Sequence, residues 1–184
     1  TPSEAVGTYI SSVLVGNLLF VGGNIGRFAG QPLKYRGKVG DAVTLEQAYE
    51  MARNCALNHL AKIKLALGDL DRVERIVKVT GYVNVAPGFN DMPKVINGES
   101  DLLVQLWGER GRHTRAAVGV ASLGSDAPVE TEIIVQVRGD NTGPHTIENS
   151  MRKAYTARTF RIPSGDLVTR LKADPSLGLI HLNN

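Results

Sequence analysis

Thr44-Leu45-Glu46-Gln47-Ala48-Tyr49-Glu50-Met51-Ala52-Arg53-Asn54-Cys55-Ala56-Leu57-Asn58-His59-Leu60-Ala61-Lys62-Ile63-Lys64-Leu65-Ala66-Leu67-Gly68 is the stretch that fixes how the rest of the chain must be arranged. Thr44 and Gln47 have the spacing of a capping box, in which the hydroxyl accepts from the Gln47 backbone N–H and Gln47 reaches back. Ala48, Met51, Ala52, Cys55, Leu60, Ile63 and Leu67 recur at helical spacing and predict one apolar face. Gly68 ends the pattern as glycine does beyond a helix C-terminus, after about six turns. A helix of this length with one apolar face needs a sheet or a second helix to cover it.

The flanking segments supply both. Before the helix, Tyr9–Val15 and Leu18–Val21 are apolar and β-branched, with Gly16-Asn17 between them, which predicts a hairpin ended by Gly22-Gly23. Residues 24–43 are rich in glycine and polar groups and predict an ordered loop. After the helix, Arg72–Val85 predicts a long strand following a one-turn lead-in, broken by Ala86-Pro87-Gly88. Asp91-Met92-Pro93 predicts the start of a second helix, with Asp91 as N-cap and Val95, Ile96, Leu102, Leu103 and Leu106 on its apolar side. Gly98 is expected to weaken that helix, which Gly108–Gly111 ends. His113–Ala121 and Val129–Val137 predict two strands joined by a Gly124-Ser125-Asp126 turn. The expected architecture is α+β: strands clustered in two hairpins, forming an antiparallel or mixed sheet with helices on one face. From Gly139 the texture changes. Gly139–Asn149 reads as a linker, Arg158–Ile162 as a short strand and Ser164–Ala173 as a short helix. Residues 1–138 are therefore expected to form one domain and residues 139–184 a C-terminal extension.

Composition narrows the function. The 184 residues are 42% hydrophobic and 21% charged, ordinary for a globular domain. A net charge of +3 without a long Lys/Arg run argues against nucleic acid as a partner. One cysteine, Cys55, rules out an intrachain disulfide and a cysteine-based zinc cluster. His59, His113, His145 and His181 are scattered without metal-ligand spacing, so no metal is expected. No apolar run approaches the ~18 residues of a membrane span. Leu18–Val21 has no basic segment before it and does not read as a signal peptide. A cytoplasmic protein is expected. The chain begins at Thr1 rather than at methionine, so residues preceding it are expected.

Catalytic motifs fail one by one. Walker, dinucleotide and G-x-S-x-G patterns are absent from the sequence. Gly22-Gly23-Asn24-Ile25-Gly26 leads into a loop rather than a helix, which argues against a phosphate cradle. Cys55 lies on the apolar helix face and reads as a small core residue rather than a nucleophile. Arg115 stands out. It sits in Thr114-Arg115-Ala116-Ala117-Val118-Gly119-Val120-Ala121, where a guanidinium must find an anion or bear a desolvation penalty. Two readings fit: a structural ion pair, for example to Glu130 on the next strand, or a bidentate clamp on a substrate carboxylate beside the small Ala116 and Ala117. Glu130 and Glu132 share a strand face, either solvated or, in a closed cleft, able to hold a water or move a proton. Tyr9 reads as a core residue with a satisfied hydroxyl or as a cleft wall.

The order of these segments resembles the Rid family, also called YjgF-like. Gly7-Thr8-Tyr9 and Val15-Gly16-Asn17 through Gly22-Gly23-Asn24 resemble its "GPY…GN…SGQ" opening, and Ala56-Leu57-Asn58-His59-Leu60 its long helix. Asp71-Arg72-Val73 to Val77-Lys78-Val79 resembles its strand entry. His113-Thr114-Arg115-Ala116-Ala117-Val118-Gly119-Val120 resembles its "PARS-C/A-V-E-V", and Val129-Glu130-Thr131-Glu132-Ile133 its "VEIEAIA". The resemblance covers Gly7–Arg138. It implies a chorismate-mutase-like (bacillus-type) fold, with a mixed or antiparallel sheet, two helices on one face and a homotrimeric barrel with a site at each subunit interface. It also implies cofactor-free hydrolysis of reactive 2-imino acids, or enamines such as 2-aminoacrylate, to 2-keto acids and ammonia. Arg115 then corresponds to the carboxylate grip and Glu130 to the residue at the water. Tyr9, Gly23, Asn97 and Ala117 correspond to substrate-pocket positions. A non-catalytic, regulatory binder of small carboxylates is the alternative; ribonuclease activity ranks below both, for want of a histidine pair and a basic groove. Ala117 where the archetype often has cysteine, Asn24 for its glutamine, His113 near the place of its proline, the long Ile25–Val43 loop and the tail after Arg138 set this chain in a divergent subgroup.

Overall fold

A computed structural model describes residues 7–139. The expected linker, strand and helix of residues 139–184 lie, beyond Gly139 itself, outside the described residues. The elements are β1 (Ser12–Val15), β2 (Leu18–Asn24), α1 (Leu45–Leu67), β3 (Val73–Asn84), α2 (Met92–Trp107), β4 (Thr114–Val120) and β5 (Val129–Val137). The long helix starts and stops where its sequence dictates. Gln47 N–H donates to Thr44 Oγ1 at 3.2 Å, and Thr44 N–H donates to Gln47 Oε1 at 3.0 Å. Gly68, at φ +85°, donates its N–H to the Lys64 carbonyl. Asp91 holds the N-cap position of α2 but makes no cap bond; it pairs with Lys94 at 3.0 Å instead.

The sheet order is β1-β2-β5-β3-β4. β1 and β2 form the expected hairpin, with Val15 opposite Leu18. β2 does not end at Gly22-Gly23. It shifts register there and continues to Asn24. Tyr9 stays outside β1, on an exposed bend. The second expected hairpin does not form. β4 pairs parallel with β3, while β5 inserts between β2 and β3, antiparallel to both. Helices α1 and α2 are thus the crossovers that parallel strands require. β5 earns the central place through its alternation: Val129, Thr131, Ile133, Val135 and Val137 are buried under the helices. β4 carries less apolar material and lies at the edge, largely open in the subunit.

Both helices cover one face of the sheet, and Leu19, Val21, Met51, Ile63, Ile76, Val79, Ile96 and Leu103 fill the layer between. Gly98 is not a weakness in α2. A Cβ there would overlap the Tyr49 carbonyl oxygen of α1, so glycine permits the helices to touch. The loop before α1 is ordered by buried Leu33, Val39 and Val43, and Val39 bridges to Val85. The other sheet face carries Val13, Val15, Leu18, Phe20, Ile134 and Val118, with Val13, Val15, Phe20 and Val118 between 40% and 60% exposed.

Candidate functional site

Two clusters contain the residues singled out in the sequence. The first is at the β4 edge. Arg115 is in register with Val79 on β3, which turns its side chain toward the helix face, beside α2. Nη1 of Arg115 donates to Asn97 Oδ1 at 2.8 Å and to Ser100 Oγ at 3.0 Å. Asn97 and Ser100 are three residues apart on α2 and so share a helix face. Ser100 Oγ lies 3.0 Å from His113 Nε2, and His113 Nδ1 lies 2.7 Å from the Gly111 carbonyl oxygen. Ala117 follows two residues after Arg115 on the same face, half-buried against the core. The expectation of a guanidinium sunk in an apolar strand is corrected here: Arg115 is exposed, because β4 is an edge strand. The structural ion pair with Glu130 is also absent. Among the described residues no carboxylate pairs with Arg115; two neutral oxygens hold it and leave its charge uncompensated.

The second cluster surrounds the end of β2. Glu130, opposite Tyr82 on β3, faces the side of the sheet away from the helices. Its carboxylate lies so close to Gly23 that a Cβ at that position would collide with Oε1. Glycine at 23 therefore makes room for the Glu130 carboxylate. Behind this corner, Lys62 of α1 donates from Nζ to the Gly22 and Gly23 carbonyls at 3.2 and 3.3 Å. Burial raises the pKa of Glu130 above the usual carboxylate range, the nearby Glu132 carboxylate raises it further and Lys62 opposes them. Burial likewise lowers the pKa of Lys62. Tyr82 makes a long hydrogen bond of 3.4 Å to Glu132. Tyr9 is half-exposed before β1.

Arg115 and Glu130 are not brought together within the chain. β3 separates their strands, their side chains leave opposite faces of the sheet, and their β3 partners, Val79 and Tyr82, are three residues apart. At ~4.8 Å per strand and ~3.3 Å per residue the separation is about 10 Å in each direction.

Sequence reasoning missed the polar layer between the helices. His59 Nδ1 and Glu99 Oε1 are 2.8 Å apart with both side chains fully buried, and His59 Nε2 and Glu99 Oε2 have no partner among the described residues. Asn24 fastens the end of β2 to α1: it donates to the Cys55 carbonyl, and its Oδ1 accepts from Asn58 and from the Gly26 N–H. The Cys55 thiol is buried, bonded to the Asn24 carbonyl and pushed far up in pKa by burial, which suits a core residue. A groove of about 630 Å³ is lined by Arg75, Arg112, His113, Thr114 and Gln136 with Leu18 and Val77. Among the described residues no group of three or more His, Cys, Asp or Glu is placed to hold a metal ion, and no helix is long and apolar enough to cross a membrane.

Five mixed strands backed by two crossover helices define a chorismate-mutase-like α+β domain. The chain belongs to the YjgF/Rid family: the family model described as "YjgF/chorismate_mutase-like, putative endoribonuclease" matches residues 2–127. A second model, described as haem degrading protein HbpS-like, matches residues 116–184, mostly beyond the described residues. Protein TCP17 of Trypanosoma cruzi is 44% identical over 102 residues, 55% of this chain and 64% of that protein, so the chain spans less than two thirds of that relative. A solved protein of unknown function from Agrobacterium tumefaciens is 42% identical with a TM-score of 0.68, over 70% of this chain and 82% of that one. A solved Shewanella oneidensis protein described as a "putative endoribonuclease" is 29% identical with a TM-score of 0.71, over 74% and 90% of the two chains.

Proposed function

We propose that the chain is a cofactor-independent hydrolytic deaminase that converts reactive 2-imino acids of the 2-iminobutanoate/2-iminopropanoate type, and enamines such as 2-aminoacrylate, to 2-keto acids and ammonia. The observation that carries this reading is Arg115, an exposed cation held by Asn97 and Ser100 with no carboxylate partner among the described residues. A guanidinium so held is suited to a planar carboxylate. The remaining chemistry asks little of the protein. The carbon of the protonated imine, the iminium, is already electrophilic, so a positioned water attacks it while Glu130 takes the proton. The carbinolamine then collapses: Glu130 returns that proton to nitrogen, the C–N bond breaks as the hydroxyl oxygen closes the C=O bond, ammonia leaves and the hydroxyl proton passes to solvent. A carboxylate whose pKa is raised by burial and by Glu132 is fitted to take and return a proton. An enamine first accepts a proton at its terminal carbon to become the iminium.

The reaction is assigned to a boundary between subunits of a homotrimer, where Arg115 meets Glu130 of the partner subunit, with Asn97 and Ala117 on the arginine side and Tyr9 and Gly23 on the other. Two observations support this. A small 2-imino acid cannot span the two faces of one sheet to reach both groups in one subunit. The sheet face opposite the helices also exposes Val13, Val15 and Phe20 on the β1–β2 hairpin, an apolar group of the kind that marks a contact surface, and Val118 on the far edge strand. Residues 139–184 are assigned to an extension separate from the catalytic domain.

The test is hydrolysis of 2-aminoacrylate generated in situ. The wild-type protein should accelerate its decay, and Arg115→Ala should return it to background. Glu130→Gln should lose about 100-fold or more in kcat while still binding a 2-keto acid. Full activity in Arg115→Ala would contradict the mechanism. Wild-type protein that binds 2-keto acids yet leaves the imine at its background rate would establish the non-catalytic binder instead. The endoribonuclease reading is favoured by one observation, the groove of Arg75, Arg112 and His113. It offers a single imidazole, both of whose nitrogens are engaged. RNA cleavage that persists through repurification and disappears in Arg75→Ala/Arg112→Ala would support it.

A further inference from the structure

The hydrogen bonds around Arg115 determine which edge of its guanidinium remains for a ligand. A carbonyl oxygen only accepts, so the 2.7 Å contact between His113 Nδ1 and the Gly111 carbonyl requires the proton on Nδ1. Nε2 of the neutral ring is then an acceptor, and its partner at 3.0 Å is Ser100, which must give its hydroxyl hydrogen to the ring. With that hydrogen committed, the lone pairs of Ser100 Oγ are left for Arg115. Nη1 carries two hydrogens. One goes to Ser100 Oγ at 3.0 Å and the other to Asn97 Oδ1 at 2.8 Å. Both Nη1 hydrogens are therefore consumed by the protein. The end-on fork, which needs Nη1 and Nη2 together, is closed. The side-on fork, Nε with Nη2, is the remaining pair of parallel donors, and two parallel N–H groups are what a carboxylate takes best.

We propose that Ser100 and His113 are positioning residues for Arg115, and that their chain of hydrogen bonds commits its guanidinium to grip a ligand carboxylate side-on, through Nε and Nη2. This rests on the carboxylate-binding role given to Arg115 above. His113 acts through Ser100 and Ser100 acts through Arg115; neither touches the ligand. A 2-keto or 2-imino acid is thereby oriented as well as held, because a side-on carboxylate points its C2 carbon away from α2 rather than along the arginine axis. Substrates are selected by class: a planar carboxylate next to a trigonal carbon fits, and the corresponding amide, which cannot accept twice in parallel, does not.

The experiment uses the full chain and 2-oxobutanoate as the probe, with affinity measured by calorimetry and the Arg115 Nε–H resonance followed by ¹⁵N NMR, assigned by its loss in Arg115→Lys. In the wild type, ligand should shift the Nε–H signal, as a side-on contact demands. Ser100→Ala should weaken binding about 5–10-fold, the scale of one ordinary hydrogen bond, and raise KM for the imine more than it lowers kcat. Ser100→Thr, which keeps the hydroxyl, should stay within about twofold of wild type, and His113→Phe should fall between the two. If Arg115→Ala abolishes binding but ligand leaves Nε–H unmoved, or Ser100→Ala binds like wild type, the positioning chain is wrong while the carboxylate role of Arg115 stands. If Arg115→Ala binds 2-oxobutanoate as well as wild type, or wild type does not bind it, the carboxylate role itself fails and the inference falls with it.

Discussion

The two polar clusters beside α2 are opposites. Between the helices, His59 and Glu99 meet in complete burial, each the other's one side-chain hydrogen-bond partner among the described residues, with two of their polar atoms unsatisfied. On the edge strand, Arg115, Asn97, Ser100 and His113 form a chain that lies near solvent and ends in an uncompensated charge. A buried pair that loses one member leaves a desolvated polar group, so the cost appears in stability. An exposed cation whose partners are neutral contributes little to folding and is available to a ligand. The same helix thus carries the fold on one side and the candidate chemistry on the other, and substitutions should separate the two.

The largest effect is expected in the buried layer. Glu99→Leu should cost about 3–5 kcal/mol by stranding His59, a drop of roughly 10–20 °C in Tm. The double variant His59→Leu/Glu99→Leu should recover most of that loss. A single variant within about 1 kcal/mol of wild type would show that the pair does not hold the helices. Gly98→Ala comes next, at about 2–3 kcal/mol, because its Cβ must push Tyr49 and α1 away; chemical denaturation reads it directly. Arg115→Ala should reverse the pattern, changing stability by no more than about 0.5 kcal/mol while removing carboxylate binding. An equal loss of both would erase the contrast between the clusters.

The smallest effect is a shift in a pH profile. In the proposed reaction Glu130 must be ionised to accept a proton from water, and burial and then Glu132 raise its pKa. Activity should therefore fall as pH drops through that raised value. Glu132→Gln removes a repelling charge and should move the acid limb to lower pH. Lys62→Met removes an opposing cation and should move it to higher pH. The stability sign follows from the same linkage. With a folded-state pKa above the unfolded one, Glu130 makes the fold less stable as pH rises through that interval, so Glu130→Gln should raise Tm slightly at neutral pH.

Much of the fold was legible because its signals are local. The Thr44–Gln47 box, Gly68 and the Val129–Val137 alternation each need only neighbouring residues. The place of β5 was not legible, since adjacency in sequence suggested pairing with β4, whereas its buried inner face, apolar but for Thr131, suited the centre of the sheet. The partners of Arg115 left a usable sign: Asn97 and Ser100 at i and i+3 are a polar pair on a helix otherwise judged by its apolar side. His59 and Glu99 left another, each sitting at helical spacing among buried apolar residues, Cys55 and Ile63 for one and Ile96 and Leu103 for the other. A polar residue flanked by buried apolar ones on each of two facing helices is a sign that they pair. Glu130 could be placed on a strand face from sequence, but its closeness to Gly23 depends on the register shift in β2, which no local pattern announces.

The central claim is that one carboxylate-bearing ligand is shared between Arg115 and Glu130 across a subunit boundary. A crystal soaked with 2-oxobutanoate tests it most directly. The account predicts a trimer with the ligand carboxylate on Nε and Nη2 of Arg115 and its C2 carbon facing Glu130 of the partner subunit. Ligand density elsewhere, or Arg115 closed by a protein carboxylate in the assembled oligomer, would contradict it.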